Sequence, residues 1–233
     1  NNGIAAALGY PAGTKISRDQ WNGYHVPNEY VANFDLVGVD WEATSGFGYN
    51  REKSDRRAFF YNIGGVEAYD KANVNSGWRC WKFNSRASDG TLYSTDNYSI
   101  FSSADFPMFR LAEMYLIYAE AQARLDGGTT TDSKAMGYIK ELRDRAGMTT
   151  PSSINLDFIL KERACELMWE GHRRTDLIRY GYFTAMSFPW PYKGGIPDGK
   201  VALPSYRTVY PLLQSDLSEN SNLVQNTGYQ SNN

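Results

Sequence analysis

Residues 154–181 read INLDFILKERACELMWEGHRRTDLIRYG, and the fold turns on this stretch. Leu156, Leu160, Ala164 and Leu167 recur at helical spacing and make one apolar stripe. Asn155 suits the N-cap, where a side-chain oxygen accepts from an otherwise unpaired backbone N–H. Asp157 places negative charge on the first turn, and Gly171 is expected to stop or bend the helix. A second column lies elsewhere on the surface. Glu162, Glu166 and Glu170 stand at i, i+4 and i+8, a spacing at which like charges repel. Such a column requires cations to answer it. Arg163, Arg173, Arg174 and Arg179 are close in sequence, and Arg110, Arg143 and Arg145 fall on the preceding expected helices. Two readings follow: an ion network that locks three helices together, or a paired-carboxylate acid/base site. The many guanidinium groups favour the network, because they hold the acids ionised.

Working back towards the N-terminus, two more helical patterns appear, one over residues 105–126 and one beginning at Thr131 or Asp132 and running to Arg145. In the first, Asp105 is the expected cap and Pro107 falls in the first turn. Leu111, Met114, Tyr115, Tyr118 and Ala119 define its core face, widened by Leu116, Ile117 and Ala121. In the second, Ala135, Ile139, Leu142 and Ala146 form the buried stripe, and Gly147 takes the C′ position. Short links make the two an antiparallel hairpin. The fold class is therefore mainly α, a helical-repeat-like bundle over 105–181. It is flanked by a loop-rich, aromatic stretch at 1–104 and an irregular tail at 182–233, all within a single domain. Short strands are expected at 58–61, 78–83 and 207–213, one helical turn at 215–217, and a frayed tail from Asn220.

Hydrophobic residues make up 42% and charged residues 21%, which are globular values. The formal net charge of −2 gives no electrostatic footprint for nucleic acid or an anionic membrane. No apolar run is long enough to cross a bilayer. Cys80 and Cys165 are too few and too far apart for a disulfide framework or a metal site. His25 and His172 are the only histidines, and Glu170 stands too near His172 in sequence to converge with it on a metal. No phosphate loop, dinucleotide fingerprint or nucleophile elbow is present, so no cofactor is expected. Aromatic residues reach 15%, and their excess sits in loops, where rings can stack on flat or ring-shaped ligands.

Four blocks in order carry a family resemblance. RLAEMYLIYAEA (110–121) resembles the RLAExYLxxAEA helix of the SusD/RagB family, and LRDRAG (142–147) its LRxRAG. Glu162-Arg163, Glu166-Leu167, Glu170-Gly171, Arg173 and Asp176-Leu177 resemble its ERxxELxxEGxRxxDLxR block. Tyr210-Pro211-Leu212 with Gln225–Tyr229 is similar to its closing YPIPxxE…QNPGY. Here Leu213 replaces a second Pro, Asp216 stands near the usual Glu, and Thr227 replaces the last Pro. The resemblance implies TPR-like helical packing in a cell-surface lipoprotein of the Gram-negative outer membrane. It implies a partner, a SusC-like TonB-dependent transporter, and a captured glycan or, in some members, a peptide. It implies binding rather than catalysis. Family members are longer, and the chain, which begins at Asn1 without Met, resembles their C-terminal part; the lipid anchor would lie outside it.

The family blocks are structural and assign no ligand residue, so the expected site comes from the loops. Glycan recognition needs ring faces for the apolar side of a pyranose and polar side chains for its hydroxyls. Tyr10, Trp21, Asn22, Tyr24, Trp41 and Tyr49 supply both and form the expected ligand platform. The loop around Trp190 is a second candidate, or a partner contact. Trp78 and Trp81 read as core residues. Two other functions compete with glycan binding: a glycoside hydrolase using two of Glu162, Glu166, Glu170 and Asp176, or a scaffold that binds protein alone.

Overall fold

A computed structural model describes residues 25–43, 45–63, 77–83 and 105–229. The chain forms two units, residues 1–171 and 172–233, so the loop-rich stretch and the first three long helical patterns share one unit.

In the first unit Pro27 leads into a single turn, α1 (Asn28–Val31), and Val31 and Phe34 point inward. Strands β1 (Ser45–Gly46), β2 (Phe60–Ile63) and β3 (Arg79–Cys80) form an antiparallel sheet in that order. Ser45 faces Ile63, and Phe60 faces Cys80. A bridge between Val26 and Trp78 ties the start of α1 to β3. These short elements leave many backbone groups outside any ladder, and buried groups of that kind need partners. Side chains supply them. Tyr49 donates its hydroxyl to Ala58 O and accepts from Phe60 N at 3.2 Å. Trp78 Nε1 donates to Asn28 Oδ1 at 2.7 Å, and Tyr30 Oη to Ala164 O at 2.8 Å. The same rings fill the space between segments, with Phe34 edge-on to Phe60 and Trp41 edge-on to Trp78. Gly48 sits at φ +59°, and a Cβ there would come within 2.9 Å of the Trp78 ring.

Helix α2 is Leu111–Leu125, α3 is Ser133–Ala146 and α4 is Leu156–Glu166. Helices α3 and α4 follow their sequence signals at the N-caps, whereas α2 does not start at the expected cap Asp105. Asp132 Oδ1 accepts from Lys134 N and Ala135 N, Asn155 Oδ1 accepts from Phe158 N at 2.8 Å, and Gly147 closes α3 at φ +75°. Strands β4 (Thr129–Thr130) and β5 (Ile154–Asn155) pair antiparallel and hold the α2–α3 turn beside the start of α4. Helix α2 packs on both α3 and α4.

Two expectations about helices are corrected. Helix α2 starts at Leu111, because residues 105–110 are not helical and Arg110 is extended at φ −149°. Its buried face is Ala112, Leu116, Ala119 and Ala123, whereas Leu111, Met114 and Ile117 are exposed. Small residues let the neighbouring helices approach, which rotates the larger apolar side chains outward. Helix α4 ends at Glu166 rather than running to Gly171, and Trp169 (φ +64°) and Gly171 (φ +81°) turn the chain.

In the second unit α5 (Arg173–Arg179) is followed by short 3-10 turns at Lys193–Gly195 and Ser205–Thr208 and by α6 (Gln214–Glu219). The expected strand at 207–213 is absent. Pro211 has no N–H to give a ladder, and side chains take over. Gln225 bonds both Leu212 N and Leu212 O, Asn226 donates to Tyr210 O, and Tyr229 to Val209 O. These bonds pin the tail that composition alone reads as frayed. Trp190 stacks on Phe183, and the buried Lys193 ammonium donates to Ala185 O and Phe188 O beside the Trp190 ring.

Candidate functional site

The glutamate column is the most heavily bonded polar feature of the first unit. Glu162 takes Arg57 Nη1 at 2.5 Å and Arg143 Nη1 at 2.8 Å. Glu166 takes Arg110 at 2.7 Å, Arg145 at 2.5 Å and Arg57 at 3.2 Å. Glu170, past the end of α4, takes Arg110 Nε at 2.5 Å and the Lys82 ammonium. The turn through Trp169 brings it back to these partners although the helix has stopped. All three glutamate side chains are 2% exposed. Behind them Asp55 holds Arg57 with both carboxylate oxygens, and Asp35 bonds Arg143 and Lys161. Arg110 and Lys82 also donate to Glu166 O, and Lys82 to Met168 O, so cations cap the carbonyl end of α4.

Burial works against ionisation of Glu166. The bonds and charges of Arg110, Arg145 and Arg57 outweigh it and hold the carboxyl below its ordinary value. The balance is the same at Glu170, with Arg110 and Lys82 as partners. A glycosidase acid needs the opposite, a carboxyl kept protonated at neutral pH. Asp176, the fourth acid of that reading, lies in the second unit and pairs with Arg179 at 2.8 Å. Among the described residues no group of three or more His, Cys, Asp and Glu is placed to hold a metal ion.

Of the cations expected to answer the column, Arg110, Arg143 and Arg145 do so. Arg174 lies in the second unit, where it donates to Arg207 O and Thr208 O against the Tyr210 ring. Arg57 and Lys82 were missed. Each lies more than 80 residues from its glutamate partner, and only the Asp55-Arg56-Arg57 charge cluster marks one of them in the sequence.

A pocket of about 300 Å³ opens where this network reaches the surface. Phe59, Phe83 and Pro107 form its apolar side, and Lys82, Arg110, Arg145, Glu166 and Glu170 its polar side. Trp41 and Tyr49, the described members of the expected platform, do not line this pocket. Tyr10, Trp21, Asn22 and Tyr24 lie outside the described residues. Trp41 is half-buried against Trp78. Tyr49 is a core residue: it is 9% exposed, its hydroxyl is bonded, and burial pushes its pKa up to about 12. A ring in that setting offers no face for stacking, so Tyr49 is removed from the platform.

The fold is thus a mainly α, TPR-like frame joined to irregular, ring-filled segments through buried charge pairs. The chain belongs to the SusD family, whose model matches residues 18–229. It is 36% identical over 180 residues to the starch-binding protein SusD of Bacteroides thetaiotaomicron, covering 75% of this chain and 31% of that protein. A SusD-like protein of Formosa agariphila is 34% identical over 133 residues, covering 52% and 24%. The chain therefore spans about a third or less of the length of these relatives. Two solved structures share the fold. Surface glycan-binding protein A from Bacteroides uniformis matches with TM-score 0.56 and 19% identity, covering 93% of this chain and 43% of that one. A SusD-like protein from Bacteroides fragilis matches with TM-score 0.56 and 17% identity, covering 88% and 47%. No helix among the described residues is long and apolar enough to cross a membrane.

Proposed function

We propose that the chain is part of a cell-surface glycan-binding protein serving a TonB-dependent nutrient-uptake system, without catalytic activity of its own. Kinship with a starch-binding protein over three quarters of the chain carries the reading. In this reading the protein sits at the outer membrane on a lipid anchor outside this chain and delivers its ligand to a SusC-like transporter. Trp41 together with Tyr10, Trp21, Asn22 and Tyr24 meets the sugar, and no cofactor takes part. Saturation of Glu162, Glu166 and Glu170 by guanidinium and ammonium groups supports binding over hydrolysis.

Incubation with a panel of oligosaccharides tests this, with calorimetry for binding and a reducing-end assay for cleavage. The expected result is binding without released sugar. Released sugar would establish a hydrolase, and an inert panel would favour a protein scaffold. Trp21→Ala and Trp41→Ala should each weaken binding about tenfold, as expected for loss of one stacking ring. Unchanged affinity removes that ring from the site.

A further inference from the structure

The pocket at the edge of the ion network holds more than the network needs. Its two carboxylates are fully engaged. Glu166 Oε1 takes Arg110 and Arg145 and Oε2 takes Arg57, whereas Glu170 takes Lys82 and both nitrogens of an Arg110 fork. At 2% exposure, neither side chain offers acceptors to a sugar hydroxyl. Arg57, answered from behind by Asp55 and Glu162, is closed off as well. Three cations, Lys82, Arg110 and Arg145, then face two carboxylates, a formal surplus of one positive charge. The surplus is concentrated on Arg145. Its side chain is 60% exposed, gives one nitrogen to Glu166 and lines the pocket.

Beside this rim stands an apolar wall, with the Lys82 ammonium 5.6 Å from the centre of the Phe83 ring. Phe83 is 44% exposed, and Phe106 extends it with ring centroids 6.3 Å apart and planes tilted by 37°. Phe59 and Pro107 add further apolar lining. A site built from donors and rings selects a ligand that brings acceptors, a negative charge and an apolar face. A guanidinium fork matches a carboxylate in shape and charge, and a phenyl ring takes the C–H face of a pyranose. A volume of about 300 Å³ is at the small end of ligand pockets.

We propose that this pocket receives a uronic acid residue of an acidic glycan, its carboxylate on Arg145 and its ring against Phe83. The inference rests on the glycan-binding reading and adds a class of sugar and a second place, besides the rings around Trp41, where the glycan is held.

The test is calorimetry on the whole chain with trigalacturonate, its methyl ester, a sulfated disaccharide, maltotriose and a short peptide with a free C-terminal carboxylate. Trigalacturonate should bind about tenfold or more tightly than its ester, the difference one charged hydrogen bond makes, and added salt should weaken it. Arg145→Gln should remove that preference, and Phe83→Ala should weaken trigalacturonate about tenfold by loss of ring contact. Equal affinity for acid and ester, no effect of either substitution, or tighter binding of the sulfated sugar or the peptide overturns the proposal. Binding of maltotriose alone overturns it and leaves the glycan-binding function standing. An inert panel overturns both. Should Arg145→Gln disturb the fold, Phe83→Ala decides, because Phe83 takes no part in the ion pairs.

Discussion

The first unit contains two hydrophobic cores of different composition. One, among the helices, is built from Ala112, Leu116, Ala119, Ala123, Ala135, Ile139, Leu142 and Ile154. The other, among loops and short strands, is built from Phe34, Tyr49, Phe60, Trp78 and smaller neighbours. Helices satisfy their own backbone, so their core needs only closely fitted alkyl groups, and alanine lets the axes approach. Irregular segments leave wider gaps and unpaired carbonyls, so their core uses large rings, of which Tyr and Trp bring a donor. Helix α4 belongs to both. Ile159 and Leu167 enter the alkyl core, and Cys165 and Met168, just beyond its end, lie in the aromatic one. Its glutamates join the two, with Arg57 and Lys82 reaching from the loop side and Arg110, Arg143 and Arg145 from the helical side.

If the charged seam couples the cores, breaking it should have the largest effect. Glu166→Ala leaves three cations without a shared partner and should cost about 3–5 kcal/mol in urea unfolding. Near-ultraviolet dichroism of the rings and far-ultraviolet dichroism of the helices should then fall together, at lower denaturant. Separate transitions would show that the cores stand independently. Acid should act on the same seam. The folded-state carboxyls of Glu166 and Glu170 titrate below the ordinary value of 4.5. Their stabilisation is therefore complete above that pH and is lost as pH falls through the folded values. A thermal melt series should show the loss below pH 4.5 and less of it in Glu166→Ala.

Within each core the expected responses differ in sign of volume. Ala119→Leu overfills the alkyl core and should cost about 1–3 kcal/mol. Tyr49→Phe keeps the ring and should cost about 1–2 kcal/mol, because it strips a donor from the Ala58 carbonyl and an acceptor from Phe60 N–H. A neutral Tyr49→Phe would mean that the aromatic core is held by its rings alone. Smallest of all, Lys140→Ala removes the exposed pair with Asp144 and should change stability by about 0.5 kcal/mol or less.

At the starts of α3 and α4 and at the end of α3 the local signals were legible, whereas the expected cap Asp105 lies outside α2. Asp132 and Asn155 cap their helices, Gly147 closes α3, and the Ala135, Ile139, Leu142, Ala146 stripe is buried as its spacing predicts. The glutamate column announced a need for cations. The caps of α3 and α4 and the stripe of α3 depend on residues within a few positions of one another, so the sequence by itself determined them. That Arg57 and Lys82 would join the expected arginines, which face of α2 would turn inward, and that Tyr49 would be core and the 220–229 tail pinned were decided only by the tertiary structure. Arg57 meets Glu162 across 105 residues, and α2 is apolar on nearly every side, so its neighbours choose its buried face. Periodicity carries no information about contacts made across such distances, and the loops that make them have no period to read.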